Sequence, residues 1–131
     1  MFKEEGYRFM GAAFEVYNEL GYGMAEEIYQ QSLEIELTLR MIPYLTKQEL
    51  EIFYKNHKLA THYKPDLLVF GGIVVELKST TELTSEHEAQ LFNYMRVSRH
   101  AVGYLVNFGH KSDLQWKRFI LSDLHEKPGH G

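Results

Sequence analysis

The chain has 131 residues, 44% hydrophobic and 24% charged, with a formal net charge of −4 and no cysteine. That balance fits one globular domain over 1–131 and excludes collagen, coiled coil and disorder. The missing cysteines exclude disulfides and thiolate metal centres, and the net charge argues against broad binding of nucleic acid by counterion displacement. No apolar run approaches the ~20 residues that span a bilayer. The opening "MFKEEGYRFMG" carries acids where a secretion signal would be basic and then apolar. A cytoplasmic protein with no membrane partner is the expectation.

Phe9, Ala12, Ala13, Val16, Tyr17 and Leu20 recur at helical spacing and predict a first helix that Gly21 ends. After "GYG", Ala25, Ile28, Tyr29 and Leu33 share one face and predict a second helix over 24–40, stopped by Pro43. "YLTKQELEIFY" is rich in strand formers and reads as one or two strands, followed by a turn at "KNHK". "ATHYKPDLLVF" and "IVVELKS" form a strand pair across Gly71-Gly72. "SEHE" at 85–88 fits a capping box and starts a third helix over 85–98. "AVGYLVNF" and "QWKRFIL" add two strands, and 124–131, ending "HEKPGHG", reads as a frayed tail. The order helix, helix, strands, helix, strands predicts an α/β or α+β layer on a mixed sheet flanked by helices.

Within "KPDLLVFGGIVVELKST", Asp66, Glu76 and Lys78 stand among residues that otherwise read as buried strands. A charge there costs free energy unless it is paired, hydrogen-bonded or bound to a metal. Alternation puts Glu76 and Lys78 on one face and Val75 and Leu77 on the other. The turn at Gly71-Gly72 returns Asp66 to within reach of Glu76. Two carboxylates beside a lysine suit a hard divalent cation that keeps waters and phosphate oxygens as further ligands. The ammonium can serve a water and steady charge growing on phosphate. The plainer reading is a structural ion pair with Lys78.

Two helices add candidates. Gln90 and Tyr94 of "HEAQLFNYM" are four apart and share a face, with Leu91 and Met95 as core. His87 precedes Gln90 by about one turn and could line the same cleft. Glu26 and Tyr29 of "GMAEEIY" are three apart, so a partly buried Glu26 would need a partner; the simpler reading is a first-turn glutamate favoured by the helix dipole. Phe53, Tyr54 and Tyr63 could stack on a base, although core packing accounts for most aromatics. Arg96, Arg99, Lys111, Lys117 and Arg118 stand against a single acid, Asp113, and could form a basic face, with ordinary solvated surface as the commoner explanation.

Together Gly23, Glu26 and Tyr29 (GxxExxY), the PD…ELK pair and the "HEAQLxxYM"-like helix resemble the GxxExxY proteins of the PD-(D/E)xK nuclease superfamily. The resemblance runs from the first helix through "VNFG". It implies a restriction-endonuclease-like core and a metal-dependent nuclease that hydrolyses DNA phosphodiester bonds in repair, recombination or defence. By resemblance Asp66 and Glu76 are ligands of Mg²⁺ (or Mn²⁺), the Leu77 carbonyl is a further ligand, and Lys78 is the catalytic lysine. Glu26 matches an accessory acid of junction-resolving members, and Gln90 and Tyr94 match a Gln-x-x-x-Tyr helix of RecB-like members. A homodimer, as many nucleases of this fold form, is compatible with the aromatic surface. The contrasting expectation is a catalytically silent nucleic-acid- or protein-binding module that keeps the fold.

Overall fold

A computed structural model describes residues 1–121, so the predicted tail at 124–131 lies outside the described residues. The first helix, α1 (Lys3–Leu20), carries Glu4 and Glu5 in its first turn and ends at Gly21, whose φ of 80° a side chain would disfavour. The second, α2 (Glu26–Leu39), starts two residues later than predicted, with Ala25 as N-cap. Its Tyr29, Leu33 and Leu37 repeat every four residues and are completely buried. Each such burial contributes roughly 2 kcal/mol.

Seven strands follow: β1 (Tyr44–Thr46), β2 (Leu50–Tyr54), β3 (His57–Tyr63), β4 (Leu67–Val69), β5 (Ile73–Lys78), β6 (Val102–Asn107) and β7 (Gln115–Ile120), with α3 (Ser85–Ser98) between β5 and β6. The main sheet has the order β1-β4-β5-β6-β7, and β2 and β3 form a separate antiparallel hairpin. Among the described residues only β5 and β6 run parallel, and α3 is the crossover that such a pair needs. Both strands are apolar along most of their length because both sheet faces are covered. On one face Ile73, Val75, Leu77, Tyr104 and Val106 pack with α1 and α2. On the other, Val74 and Leu105 pack with Leu91 and Met95 of α3 and with Leu50, Ile52 and Tyr63 of the hairpin. The fold is thus the mixed sheet between helices that the sequence predicts.

Of two stretches, the first gives the two strands that the sequence allows and the second divides differently from expectation. "YLTKQELEIFY" gives β1 to the main sheet and β2 to the hairpin, with Lys47 at φ 50° turning the chain between them. "ATHYKPDLLVF" is two strands: Pro65 has no N–H for a ladder, so β3 stops at Tyr63 and β4 starts in the other sheet at Leu67. The β4–β5 turn has positive φ at Phe70 (55°) and Gly71 (72°), and Gly72 N–H closes it on the Val69 carbonyl. The cap of α3 is Thr84 rather than Ser85, and His87, not Glu88, completes the box. Against β6, α3 sits over Gly103, where a Cβ would stand 2.6 Å from the Met95 sulfur.

The α1–α2 loop is tied from inside. Tyr29 donates to the Gly21 carbonyl (2.6 Å) and accepts from Met24 N–H (3.2 Å). Its ring stacks on Phe108 at 4.5 Å, and Gly23, at φ 86°, donates to the Phe108 carbonyl. Tyr29→Phe keeps the stack but leaves buried loop groups unpartnered, and is expected to cost about 1–2 kcal/mol. That appears as a lower urea midpoint at unchanged slope. Glu26→Ala, on the exposed side of the same turn, is expected to stay within about 0.5 kcal/mol of the parent.

Candidate active site

Pro65 ends β3, which leaves Asp66 one step outside the ladder. The register Leu67↔Val75 extended by that step sets Asp66 opposite Glu76. Both ends of Asp66 are fixed. Its Oδ2 accepts from Leu77 N–H at 2.7 Å and its Oδ1 from Lys47 Nζ at 3.2 Å. Its carbonyl accepts from buried Gln30 at 3.0 Å. Glu76 accepts from the hydroxyl of Tyr63, whose ring stacks on Tyr94 at 4.3 Å and 9°. Burial raises the Glu76 carboxyl to about 7; the Tyr63 hydrogen bond opposes this, the Asp66 charge adds to it, and Lys78 pulls it down. Burial, then the Glu76 charge, pushes the Tyr63 phenol up, so that it stays a donor.

Lys78 lies on the same face of β5 as Glu76, and both line a cleft of about 230 Å³ between the hairpin and α3. The walls also carry Tyr63, His87, Gln90 and Tyr94. The structure therefore brings Gln90, Tyr94 and His87 beside Glu76 and Lys78, while Leu91 and Met95 are core. Among the described residues Lys78 forms no ion pair with either carboxylate of the plainer reading, and Asp66 pairs with Lys47. Leu77 points its side chain into the opposite core and contributes the N–H that holds Asp66.

Glu26 differs from expectation. It is exposed rather than partly buried, because the inward positions of its helix belong to Tyr29 and Gln30. It makes no hydrogen bond or ion pair among the described residues, and no group of three or more His, Asp or Glu side chains there is arranged around a common metal position. The basic stretch is also dispersed: Lys117 pairs with Glu88, Arg99 reaches the Lys55 carbonyl and covers the Phe53 ring, and Arg118 donates to the Met1 carbonyl. Phe53 is thereby occupied, and Tyr63 serves Glu76.

Sequence reasoning missed Lys47, Gln30 and Asn107. Asn107 is completely buried, accepts from the N–H groups of Thr80 and Gly109, and donates to Gln115, which accepts from Leu83 N–H. This network fixes the connection from Lys78 to α3. A polar residue ending an apolar strand was its only signal.

A family model described as the PD-(D/E)XK nuclease superfamily matches residues 3–119. The chain belongs to that superfamily. The motif of its name reads onto Pro65-Asp66 and Glu76-Leu77-Lys78; of these, Glu76 and Lys78 line the cleft and Asp66 stands opposite Glu76. The crystal structure of SSO0001 aligns at a TM-score of 0.57 and 20% identity, over 79% of this chain and 57% of that one. The likeness is one of fold, and the chain spans little more than half of that protein's length. No curated protein matches the sequence.

Superfamily members generally use divalent metals such as Mg²⁺. The donor set here fits one: Asp66 and Glu76 are near enough for the Asp66 charge to raise the Glu76 carboxyl, a repulsion that a dication relieves. Each carboxylate oxygen has more than one acceptor site, so the hydrogen bonds from Leu77, Lys47 and Tyr63 leave lone pairs free. Two carboxylates with water and substrate oxygens is the usual Mg²⁺ arrangement.

Metal-free, the raised Glu76 carboxyl makes stability depend on pH. The folded value is about 7 against 4.5 as the ordinary value. The folded state therefore binds the extra proton, and this stability is full below 4.5 and lost as pH rises through 7. At 1.36 kcal/mol per unit, the loss is about 3 kcal/mol. Glu76→Gln removes the titration, so in EDTA the variant is expected to melt well above the parent at pH 8. At pH 4.5 the two should melt together. Parallel melting curves at both pH values would contradict a raised Glu76.

Proposed function

We propose that this chain is a metal-dependent nuclease that hydrolyses DNA phosphodiester bonds, with Asp66 and Glu76 as the Mg²⁺ (or Mn²⁺) ligands and Lys78 as the catalytic lysine. The observation that carries this reading is that Glu76 and Lys78 line one cleft, Asp66 stands opposite Glu76 on the neighbouring strand, and Lys78 forms no ion pair among the described residues. A structural role alone gives no reason to hold two carboxylates together while the nearby ammonium forms no ion pair among the described residues.

When bound, the cation would activate water and offset charge on the phosphoryl oxygens. The chain's own residues do the rest. Leu77 N–H and Lys47 orient Asp66, and Tyr63 orients Glu76. Lys78 donates to the attacking water or to the phosphate oxygen that gains charge. Gln90 and Tyr94, on the wall formed by α3, bear on the scissile backbone. The Leu77 carbonyl completes the proposed ligand set. Glu26 is accessory at most, since it stands exposed and apart from the carboxylate pair. Gly23, Glu26 and Tyr29 further suggest the GxxExxY group, in which Gly23 and Tyr29 shape the loop beside β5. A role in repair, recombination or defence follows from DNA as substrate, and action in the cytoplasm is in keeping with the absence, among the described residues, of a helix able to cross a membrane.

The test is cleavage of supercoiled plasmid, linear duplex, single strand and a four-way junction with Mg²⁺, Mn²⁺ or EDTA. The parent should cut only with metal. Glu76→Ala and Asp66→Ala are expected to lose cleavage by a factor of at least about a hundred, together with the melting shift that metal confers on the parent. Lys78→Ala is expected to lose cleavage but keep that shift. Wild-type cleavage by all three variants would refute the assignment, and a parent that binds DNA without cutting any substrate would favour the silent binding module.

A further inference from the structure

The cleft contains a cluster that the proposed chemistry does not use. His87 stands on one wall, at the third position of α3, and His62 and Lys64 stand on the other, at the end of β3. The His87 ring is held by its own helix: Nδ1 accepts from Thr84 N–H at 3.1 Å, while the Thr84 hydroxyl accepts from His87 N–H at 3.2 Å. Capping boxes ordinarily place Glu or Gln at this position, both of which bring an acceptor. Histidine also meets the cap, with one difference. With Nδ1 as acceptor, the neutral ring carries its proton on Nε2, so the edge turned away from the cap is a fixed donor. On the facing wall Lys64 and His62 share one acid, Glu49, at 3.4 Å and 3.9 Å. The Lys64 and Glu49 side chains are each 56% exposed, so this pair is weak and exchangeable.

We propose that His87, Lys64 and His62 form an anion subsite that grips the phosphate next to the scissile one, with Glu49 as the group that the incoming phosphate displaces. The inference rests on the nuclease reading for its ligand, a nucleic-acid backbone. A phosphodiester offers oxygens to donors on both walls, and no base edge enters the contact, so the subsite is indifferent to sequence. A grip one phosphate away fixes the scissile group over Glu76 and Lys78 by position alone.

The test separates cap from subsite. His87→Gln and His87→Glu both restore the usual acceptor for Thr84 N–H, so both should melt like the parent. Only Gln keeps a donor toward the cleft. With a fluorescein-labelled DNA oligonucleotide in EDTA, His87→Glu is expected to weaken binding about tenfold or more, and His87→Gln to stay within about threefold of the parent. Glu49→Gln frees Lys64 and His62 and should tighten binding. In parallel, inorganic phosphate titrated onto the parent should shift the His87 and His62 side-chain nitrogen resonances. Parent-like binding by His87→Glu, or equal losses in both His87 variants, would overturn the subsite and leave the nuclease reading standing. Phosphate shifts in a parent that binds no oligonucleotide would keep the subsite and refute the nuclease reading. Neither shifts nor binding would refute both.

Discussion

Two partly buried carboxylates held opposite each other on neighbouring strands are the constraint around which the rest of this molecule is arranged. Asp66 and Glu76 repel each other and lose hydration, and burial makes that repulsion stronger than it would be in water. Each is therefore locked by donors that come from elsewhere in the chain. Asp66 takes the Leu77 amide from the very strand that carries Glu76, so the sheet register and the position of the carboxylate are one and the same fact. Glu76 takes the Tyr63 hydroxyl from the hairpin. A proton held by Glu76 removes the like-charge conflict, as a cation bound by the pair would.

That arrangement accounts for features that look unrelated in the chain. The hairpin β2–β3 adds nothing to the main sheet, yet its last residue supplies both the hydroxyl on Glu76 and the ring that stacks on α3. Gln30, a buried polar residue on a helix facing the opposite core, is explained by the Asp66 carbonyl it holds. At the other end of β5, Ser79 donates to the Met24 carbonyl, and Phe108 receives both Tyr29 and Gly23. The α1–α2 loop is thereby fastened to the strand that ends in Lys78. The Gly23 and Tyr29 positions act through the backbone at that end of the strand, and need no glutamate in contact with the cleft.

The sequence made legible whatever local rules govern: three helices, the Gly71-Gly72 return, and the shared face of Glu76 and Lys78, which alternation alone dictates. Gln90, Tyr94 and His87 were equally legible, because spacing on α3 puts them on one side. What it hid was non-local. Nothing near Lys47 says that β1 will lie beside β4 and bring an ammonium to Asp66, and nothing near Tyr63 says that its hydroxyl meets Glu76. Pro65 carried the information that splits "ATHYKPDLLVF" between two sheets, but strand-forming residues on either side masked it. Glu26 failed for the opposite reason: a motif spacing was read as a shared buried face, whereas only Tyr29 of that pair turns inward. The cap at Thr84 was obscured by Ser85, a residue of equal capping strength one place later, and by the rarity of histidine as its partner.

The net charge of −4 sits uneasily with an anionic substrate, until the charges are located. Much of the cationic surface is already matched: Arg40 with Glu36, Lys58 with Glu51, Lys117 with Glu88. Such exposed pairs add little to stability, but they cancel part of the long-range field of the described residues. Lys78 stands differently. It lies in a cleft lined by the Tyr63 and Tyr94 rings and by polar side chains, and it forms no ion pair among the described residues. A dication on Asp66 and Glu76 would turn the floor of that cleft from net negative to positive at the one place where a phosphate must arrive. On the proposed reading, attraction is local and strengthened by the metal, which would reconcile an acidic chain with a phosphodiester substrate.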